Sequence, residues 1–273
     1  MSKQHVVDDI LIVWNDETLY YKGVIETSSR STIYRVKTQD NKVYAVKCIL
    51  RKTIKIEQYA MNEIGMYYRL KHDNILKFYG HVEDENYYYL ILEYCPQGSL
   101  IEYMSSNDLC VNDIHDICRQ IVDVIYYLHR VKNIIHCDIK LDNILIDTNG
   151  NIKLCDFEFS QDYNKNQCTI RHGTLNYIAP EIIRHETYDY GVDIWSFGVM
   201  YYAMLTGRFP FTNANTNPDD VIKNILNNDY YIPIDFTSKT VYFIRKILES
   251  DPNKRAKLED LLEYFGIEKI ENI

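Results

Sequence analysis

Eight consecutive residues, His136-Cys137-Asp138-Ile139-Lys140-Leu141-Asp142-Asn143, gather a carboxylate, an ammonium and an amide into one short stretch, and Asp156-Phe157 follows thirteen residues after Asn143. These types at this spacing suit the transfer of a phosphoryl group. Asp138 can take the proton of an attacking hydroxyl, a role that contributes on the order of a hundred- to ten-thousand-fold in rate. Lys140 can neutralise charge on the group being transferred. An amide oxygen from Asn143 and a carboxylate oxygen from Asp156 are the ligands that a hard cation such as Mg2+ takes. The alternative, a surface turn that happens to be rich in charge, is disfavoured by Asn143 and Asp156 downstream. His136 reads as packing beneath the loop rather than as chemistry.

For Asn143 and Asp156 to share a cation, the chain between them must double back. Asn149-Gly150 lies between two apolar runs, 143–147 and 151–156, which predicts a tight hairpin. Upstream, strands are predicted at 19–26, 32–37 and 42–50, a helix at 54–70 and a further strand at 87–94, which Pro96-Gln97-Gly98 breaks. Ile114, Ile117, Ile121, Ile125 and Leu128 recur at three- and four-residue steps, marking an amphipathic helix that should support the loop from below. Val192 to Thr206 reads as a buried helix, 212–220 as an exposed polar loop, and 1–18 as an extension without regular structure.

Composition narrows the function classes. The 273 residues carry a formal net charge of -9, which argues against nonspecific nucleic-acid binding and is compatible with basic protein substrates. Seven cysteines, at 48, 95, 110, 118, 137, 155 and 168, form no C-x-x-C pair, so neither a disulfide framework nor a zinc site is expected and a reducing compartment fits. The first residues lack the order of a secretion signal, and the longest apolar stretch, 194–205, is too short to span a bilayer. An intracellular protein with no membrane partner is therefore expected. The 25 tyrosines read as core and rim residues rather than as a binding stripe.

The loop and Asp156-Phe157 resemble the catalytic loop and metal motif of protein kinases, with Cys137 where that family carries Arg and Glu158 where it carries Gly. Ala45-Val46-Lys47, Ala179-Pro180-Glu181 and Asp193-Ile194-Trp195-Ser196-Phe197-Gly198 stand in the family's order. The resemblance implies an α+β, bilobal protein-kinase fold, with a sheet-rich N-lobe over about 19–94 and a helical C-lobe over about 96–265, in a single domain that leaves no room for a second module. It implies ATP and Mg2+ as cofactors. Lys47 would meet the α and β phosphates, held by an ion pair with Glu63, and Ile25 and Ile33 would border the nucleotide. The adenine edge would meet backbone groups of Glu93 and Cys95 with Leu92 behind, and Asn143 and Asp156 would hold the metal. Asp138 would be the base, and Lys140 marks the serine/threonine class. Glu181 with Arg255, and Asp193 against the catalytic-loop backbone, would be scaffold.

The departures matter. Aligned on Lys47, Glu26, Ser28 and Ser31 fall at the three glycine positions of the phosphate-covering loop, where glycine normally permits close backbone approach. Glu158 adds negative charge beside Asp156. Cys137 cannot pair with a phosphorylated activation segment, so weak dependence on phosphorylation at Thr169 is expected. Thr174, followed by Tyr177, is placed to contact the catalytic loop. Segments 70–80, 89–94 and 173–177 most resemble Aurora-type mitotic kinases. That subfamily implies a role in chromosome segregation at the spindle or kinetochore, in cytoplasm and nucleus, and an activating protein on the N-lobe. Asp142 would pair with a basic residue near the target hydroxyl. Polo-like kinases share much of 173–181 but carry a C-terminal docking module for which the chain ends too early. A pseudokinase scaffold and a small-molecule phosphotransferase are the rival readings.

Overall fold

The computed structural model describes residues 10–163, 173–212 and 216–268. Two units emerge from its contacts, Met1–Lys71 with Leu76–Pro96, and His72–Ile75 with Gln97–Ile273.

The first unit is built on a six-stranded antiparallel sheet of β1 (Ile10–Trp14), β2 (Glu17–Thr27), β3 (Ser31–Lys37), β4 (Val43–Leu50), β5 (Phe78–Glu83) and β6 (Tyr87–Glu93), in the order β1-β2-β3-β4-β6-β5. Side chains alternate across a strand, and β4 is buried on both faces. Tyr44, Val46 and Cys48 pack with Leu19, Val36 and Ile91 on one side, leaving Ala45, Lys47 and Ile49 on the other. Helix α1 (Ile54–Arg69) begins where Thr53 Oγ1 accepts from the Ile56 amide and carries Glu57 in its first turn, both favourable at an N-terminus. It buries Ala60, Glu63, Ile64, Met66 and Tyr67, and Tyr67 stacks on Phe78 at 5.2 Å.

One expectation is corrected here, and one strand was not anticipated. Residues 10–14 form a strand paired with β2 rather than an irregular extension, because Leu11, Ile12 and Trp14 cover the Tyr44–Cys48 face. Trp14 meets the edges of Tyr44 and Tyr79 at 5.9 and 6.4 Å. Phe78–Glu83 is a strand that no sequence signal marked. Gly80 is required in it, with φ +152° and the Trp14 indole nitrogen 3.1 Å from where a Cβ would stand.

The second unit is mainly helical. Helix α2 (Leu100–Ser106) starts from a Ser99–Glu102 capping box, and α3 (Val111–Tyr126) buries Ile114, Ile117, Ile121 and Ile125 as the periodicity predicts. The helix widens into a π-helical stretch, Tyr127–Lys132, that ends at left-handed Asn133. Strand β7 (Ile134–Ile135) then leads into the loop 136–143. The predicted hairpin is present as β8 (Ile144–Ile146) and β9 (Ile152–Leu154), with a five-residue connection in which Asp147 Oδ1 accepts from the Asn149 and Asn151 amides and Gly150 takes φ +82°. Its loop is thus longer than a two-residue turn. Strand β10 (Gln161–Asp162) pairs antiparallel with β7.

Helix α4 (Pro180–Ile183) precedes α5 (Gly191–Thr206), whose residues from Gly191 to Met204 are all buried. Helices α6 (Pro218–Asn227), α7 (Ser238–Ile247) and α8 (Leu258–Tyr264) follow. The stretch 212–220 is therefore not wholly loop: Asn217 caps α6 by accepting from the Asp220 amide, while 213–215 lie outside the described residues. Arg255 grips Glu181 with two bonds of 2.7 Å, both side chains buried, and also donates to the carbonyls of Gly191 and Glu249. No helix among the described residues is long and apolar enough to cross a membrane.

Candidate functional site

The sequence-predicted residues fall into two groups, one in each unit. In the second unit the loop 136–143 hangs from α5. Asp193 Oδ2 accepts from the His136 amide and Oδ1 from the Cys137 amide, each at 2.9 Å, and His129 Nε2 lies 2.8 Å from Oδ2. Burial alone would raise the Asp193 carboxyl, but the His129 bond, the two histidines and the backbone donors outweigh it and hold the group below its ordinary range. Cys137 adopts φ +67°, the turn that reverses the chain just before Asp138.

Asp138 is buried, and its two oxygens are not equivalent. Oδ2 accepts from Lys140 Nζ at 2.7 Å and Asn143 Nδ2 at 3.0 Å, whereas Oδ1 has only Thr174 Oγ1 at 3.5 Å. Lys140 Nζ also reaches Thr174 Oγ1 at 3.1 Å. Burial pulls the Lys140 pKa down, but Asp138, Asp156 and Asp142 more than compensate and raise it, so the ammonium stays charged. A fixed cation on one carboxylate oxygen orients the other toward an incoming donor.

His136 lies under this group. Its Nδ1 is 3.3 Å from the Asp138 amide and its Nε2 is 3.1 Å from the Cys155 carbonyl, a pattern that suits the neutral ring with its proton on Nε2. Complete burial lowers its pKa against the opposing pull of Asp193, Asp138 and Asp156. Phe157 is fully buried against the His136 ring at 4.9 Å.

Asn143 and Asp156 sit at the open end of the β8–β9 hairpin, where the Asn143 carbonyl accepts from the Cys155 amide at 3.0 Å. Asn143 Nδ2 donates to both Asp138 O and Oδ2, which turns the amide so that its oxygen is the atom available to a cation. Asp156 holds φ +64°, outside the comfortable range for a side chain. An amide oxygen and a carboxylate are ligand types that fit Mg2+. Among the described residues no group of three His, Cys, Asp or Glu side chains stands ready for a metal.

Beside Asp138 a pocket is lined by Thr174, Tyr177, Ile178, Ile182 and Val192. Tyr177 OH accepts from the Leu141 amide at 3.4 Å, and Asp142 is exposed. Glu158 is half-buried, and Thr169 lies outside the described residues.

In the first unit Lys47 Nζ is 2.7 and 2.9 Å from the two Glu63 oxygens, with both side chains buried. Ile33 faces Lys47 directly across the β3–β4 ladder. Ile25 occupies the irregularity between Val24 and Glu26 and is 48% exposed. Glu93 is tied to Lys77 through its amide and Oε2, Leu92 is buried, and Cys95 is buried where β6 ends. The glycine-free turn is closed on itself: Ser28 Oγ accepts from the Arg30 and Ser31 amides at 3.2 and 3.1 Å.

Sequence reasoning missed His129 and Gln161. Gln161 Nε2 donates to Cys137 Sγ at 3.2 Å and to Tyr188 OH at 2.5 Å. Nothing in a two-residue strand signals such a contact.

The family model for the protein kinase domain matches residues 25–265. The cell cycle serine/threonine-protein kinase CDC5/MSD2 of Saccharomyces cerevisiae is 33% identical over 85% of this chain and 34% of its own length. An Aurora kinase of Yarrowia lipolytica is 33% identical over 84% of the chain and 62% of its length, and one of Encephalitozoon cuniculi is 32% identical over 80% of each. The chain therefore spans about a third of the first relative, under two thirds of the second and four fifths of the third.

Proposed function

The chain belongs to the protein kinase family, as an Aurora-like eukaryotic serine/threonine kinase, and on that premise we propose that it transfers the γ-phosphate of ATP to serine or threonine hydroxyls of proteins. Kinases of this family use ATP with Mg2+, which neutralises phosphate charge when bound. In this chain Asp138 Oδ1 accepts the hydroxyl proton while Lys140 offsets charge on the group in transit. Asn143 and Asp156 hold the metal, and Lys47, set by Glu63, meets the phosphates. Ile25, Ile33 and backbone groups of Glu93 and Cys95 bind the nucleoside.

The observation that carries this reading is the asymmetry at Asp138, with two donors on Oδ2 and one distant hydroxyl on Oδ1. The test is transfer of radioactive γ-phosphate to a basic protein. Wild type should label it and Asp138→Asn should lose at least about a hundredfold in rate; equal labelling by the two would refute the assignment. A second reading, a binding scaffold with little catalysis, is favoured by one observation, that Ser28 Oγ occupies two amides of the turn where phosphate would sit. No labelling by wild type would select it.

The reading extends to a single catalytic domain over 1–273 and to protein substrates with basic residues near the target, met by Asp142. It includes an activating protein on the N-lobe and no nucleic-acid or membrane partner. The cell-cycle and Aurora names of the relatives support a mitotic role at the spindle or kinetochore, in cytoplasm and nucleus; a polo-like role is the alternative.

A further inference from the structure

The stretch that follows Asp156 returns across the loop 136–143, where strand pairing and the side chains of Gln161 and Tyr163 fasten it. Strand β10 pairs with β7 in register, Gln161 opposite Ile135 and Asp162 opposite Ile134, and the next amide, Tyr163, donates to the Asn133 carbonyl at 2.8 Å. Gln161 then uses both amide hydrogens on different elements. One goes to Cys137 Sγ, the residue before Asp138, and the other to the hydroxyl of buried Tyr188. Cys137 is in turn fixed through its own amide to Asp193.

A second tie runs in parallel. The Tyr163 ring lies 4.4 Å from that of Tyr190, whose hydroxyl donates to Asn133 Oδ1 and whose ring lies 4.6 Å from His129. His129 contacts the Asp193 carboxylate that holds the His136 and Cys137 amides. Both ties therefore end on Asp193 and the backbone just before Asp138. Amide, phenol and thiol groups make the first tie, and the second ends in the buried contact of His129 with the Asp193 carboxylate.

We propose that Gln161, Tyr188, Tyr163 and Tyr190 form a clasp that holds the segment after Asp156 on the loop 136–143, which makes Gln161 a positioning residue for phosphoryl transfer. The proposal rests on the kinase reading of Asp138. An amide that donates to the thiol of Cys137 fixes the turn at φ +67° from which Asp138 projects.

Gln161→Met keeps the side-chain length and removes both donors; Tyr188→Phe removes one acceptor and keeps the ring. With a protein substrate, Gln161→Met should lower kcat roughly tenfold, as loss of two hydrogen bonds dictates, with the KM for ATP within about twofold of wild type. Tyr188→Phe should give a smaller fall of the same kind. Unchanged kcat, or kcat and KM moving together, would overturn the proposal, since a general loosening of the fold would not divide them. Hydrogen exchange at the Gln161 and Tyr163 amides judges the clasp even if wild type proves inactive: exchange in Gln161→Met should quicken by roughly tenfold, and unaltered exchange would overturn it. An inactive wild type with quickened exchange would reject the kinase reading and keep the clasp.

Discussion

Asp193→Asn is the sharpest test of how the loop 136–143 is held. The two carboxylate oxygens accept from the His136 and Cys137 amides at 2.9 Å each, and the oxygen facing His136 also meets His129 at 2.8 Å. Asparagine has the same shape, but one of its ends is an NH2 that donates. Whichever way the amide turns, one buried backbone N–H faces another donor and loses its acceptor, at about 1–3 kcal/mol, and bonds to a charged acceptor, worth about 1.5–3 kcal/mol, become ordinary ones. We expect a net loss of about 2–4 kcal/mol, equivalent to about 4–16 °C in Tm for a chain of this size. Urea unfolding of wild type and variant at neutral pH measures it. The pH dependence adds a second check. The folded-state pKa of Asp193 lies below the carboxyl's ordinary 3.8, so its contribution is complete above that value and disappears as pH falls through the folded pKa. The difference between wild type and variant should therefore be constant near neutrality and shrink only in strong acid. A difference under about 1 kcal/mol at neutral pH would refute the claim that Asp193 carries the loop, because a single unsatisfied buried donor already costs that much.

Ser28→Gly frees the Arg30 and Ser31 amides and should lower the KM for ATP several-fold, measured by steady-state kinetics; no change would mean that those amides do not face the nucleotide. Glu63→Gln leaves Lys47 buried without its carboxylate and should destabilise the first unit by about 3 kcal/mol while raising the KM for ATP, read by thermal unfolding and kinetics together. His136 is held neutral by burial, with a folded pKa below its ordinary 6.5. The unfolded chain therefore takes up this proton first as pH falls, and stability attributable to His136 declines below about 6.5. The urea midpoint of wild type should drop more between about pH 7 and 5 than that of His136→Asn, and parallel curves would count against the assignment.

The parts of the fold that were legible in the sequence are those in which a local pattern and the tertiary structure ask for the same thing. The alternation in 43–50, the three- and four-residue steps from Ile114 to Ile125 and the turn chemistry of Asn149-Gly150 each point to one solution, and β4, α3 and the β8–β9 hairpin follow. Strand β1 was illegible because its reason lies elsewhere: Leu11, Ile12 and Trp14 are strand residues because Tyr44 and Tyr79 offer them an aromatic face, and five residues have too little period of their own. Phe78–Glu83 was hidden in the same way, since its packing partner is Tyr67 on the helix before it. The candidate site was legible by residue type, and the Lys47–Glu63 and Glu181–Arg255 pairs formed as anticipated. The inequality of the two Asp138 oxygens was not, because it depends on rotamers of Lys140, Asn143 and Thr174 that no spacing encodes.

The two departures from the family pattern have a common physical form. At the turn before β3, glycine's conformational freedom is absent and Ser28 instead closes the backbone on itself with two hydrogen bonds. At Cys137 a cation is absent, and Gln161 supplies two neutral donors to the thiol and to Tyr188. In each place an interaction that would need a ligand, nucleotide phosphate in one and a modified side chain in the other, is replaced by one that the chain satisfies internally. The replacements act in opposite directions on the proposed activity. A turn whose amides are already occupied resists nucleotide, because binding must first break those bonds, whereas a clasp that is already closed favours turnover, because nothing need be added to close it. Substitutions at Ser28 should therefore appear in the KM for ATP and substitutions at Gln161 in kcat, and the double variant Ser28→Gly with Gln161→Met should combine the two effects additively, as expected of sites that share no partner.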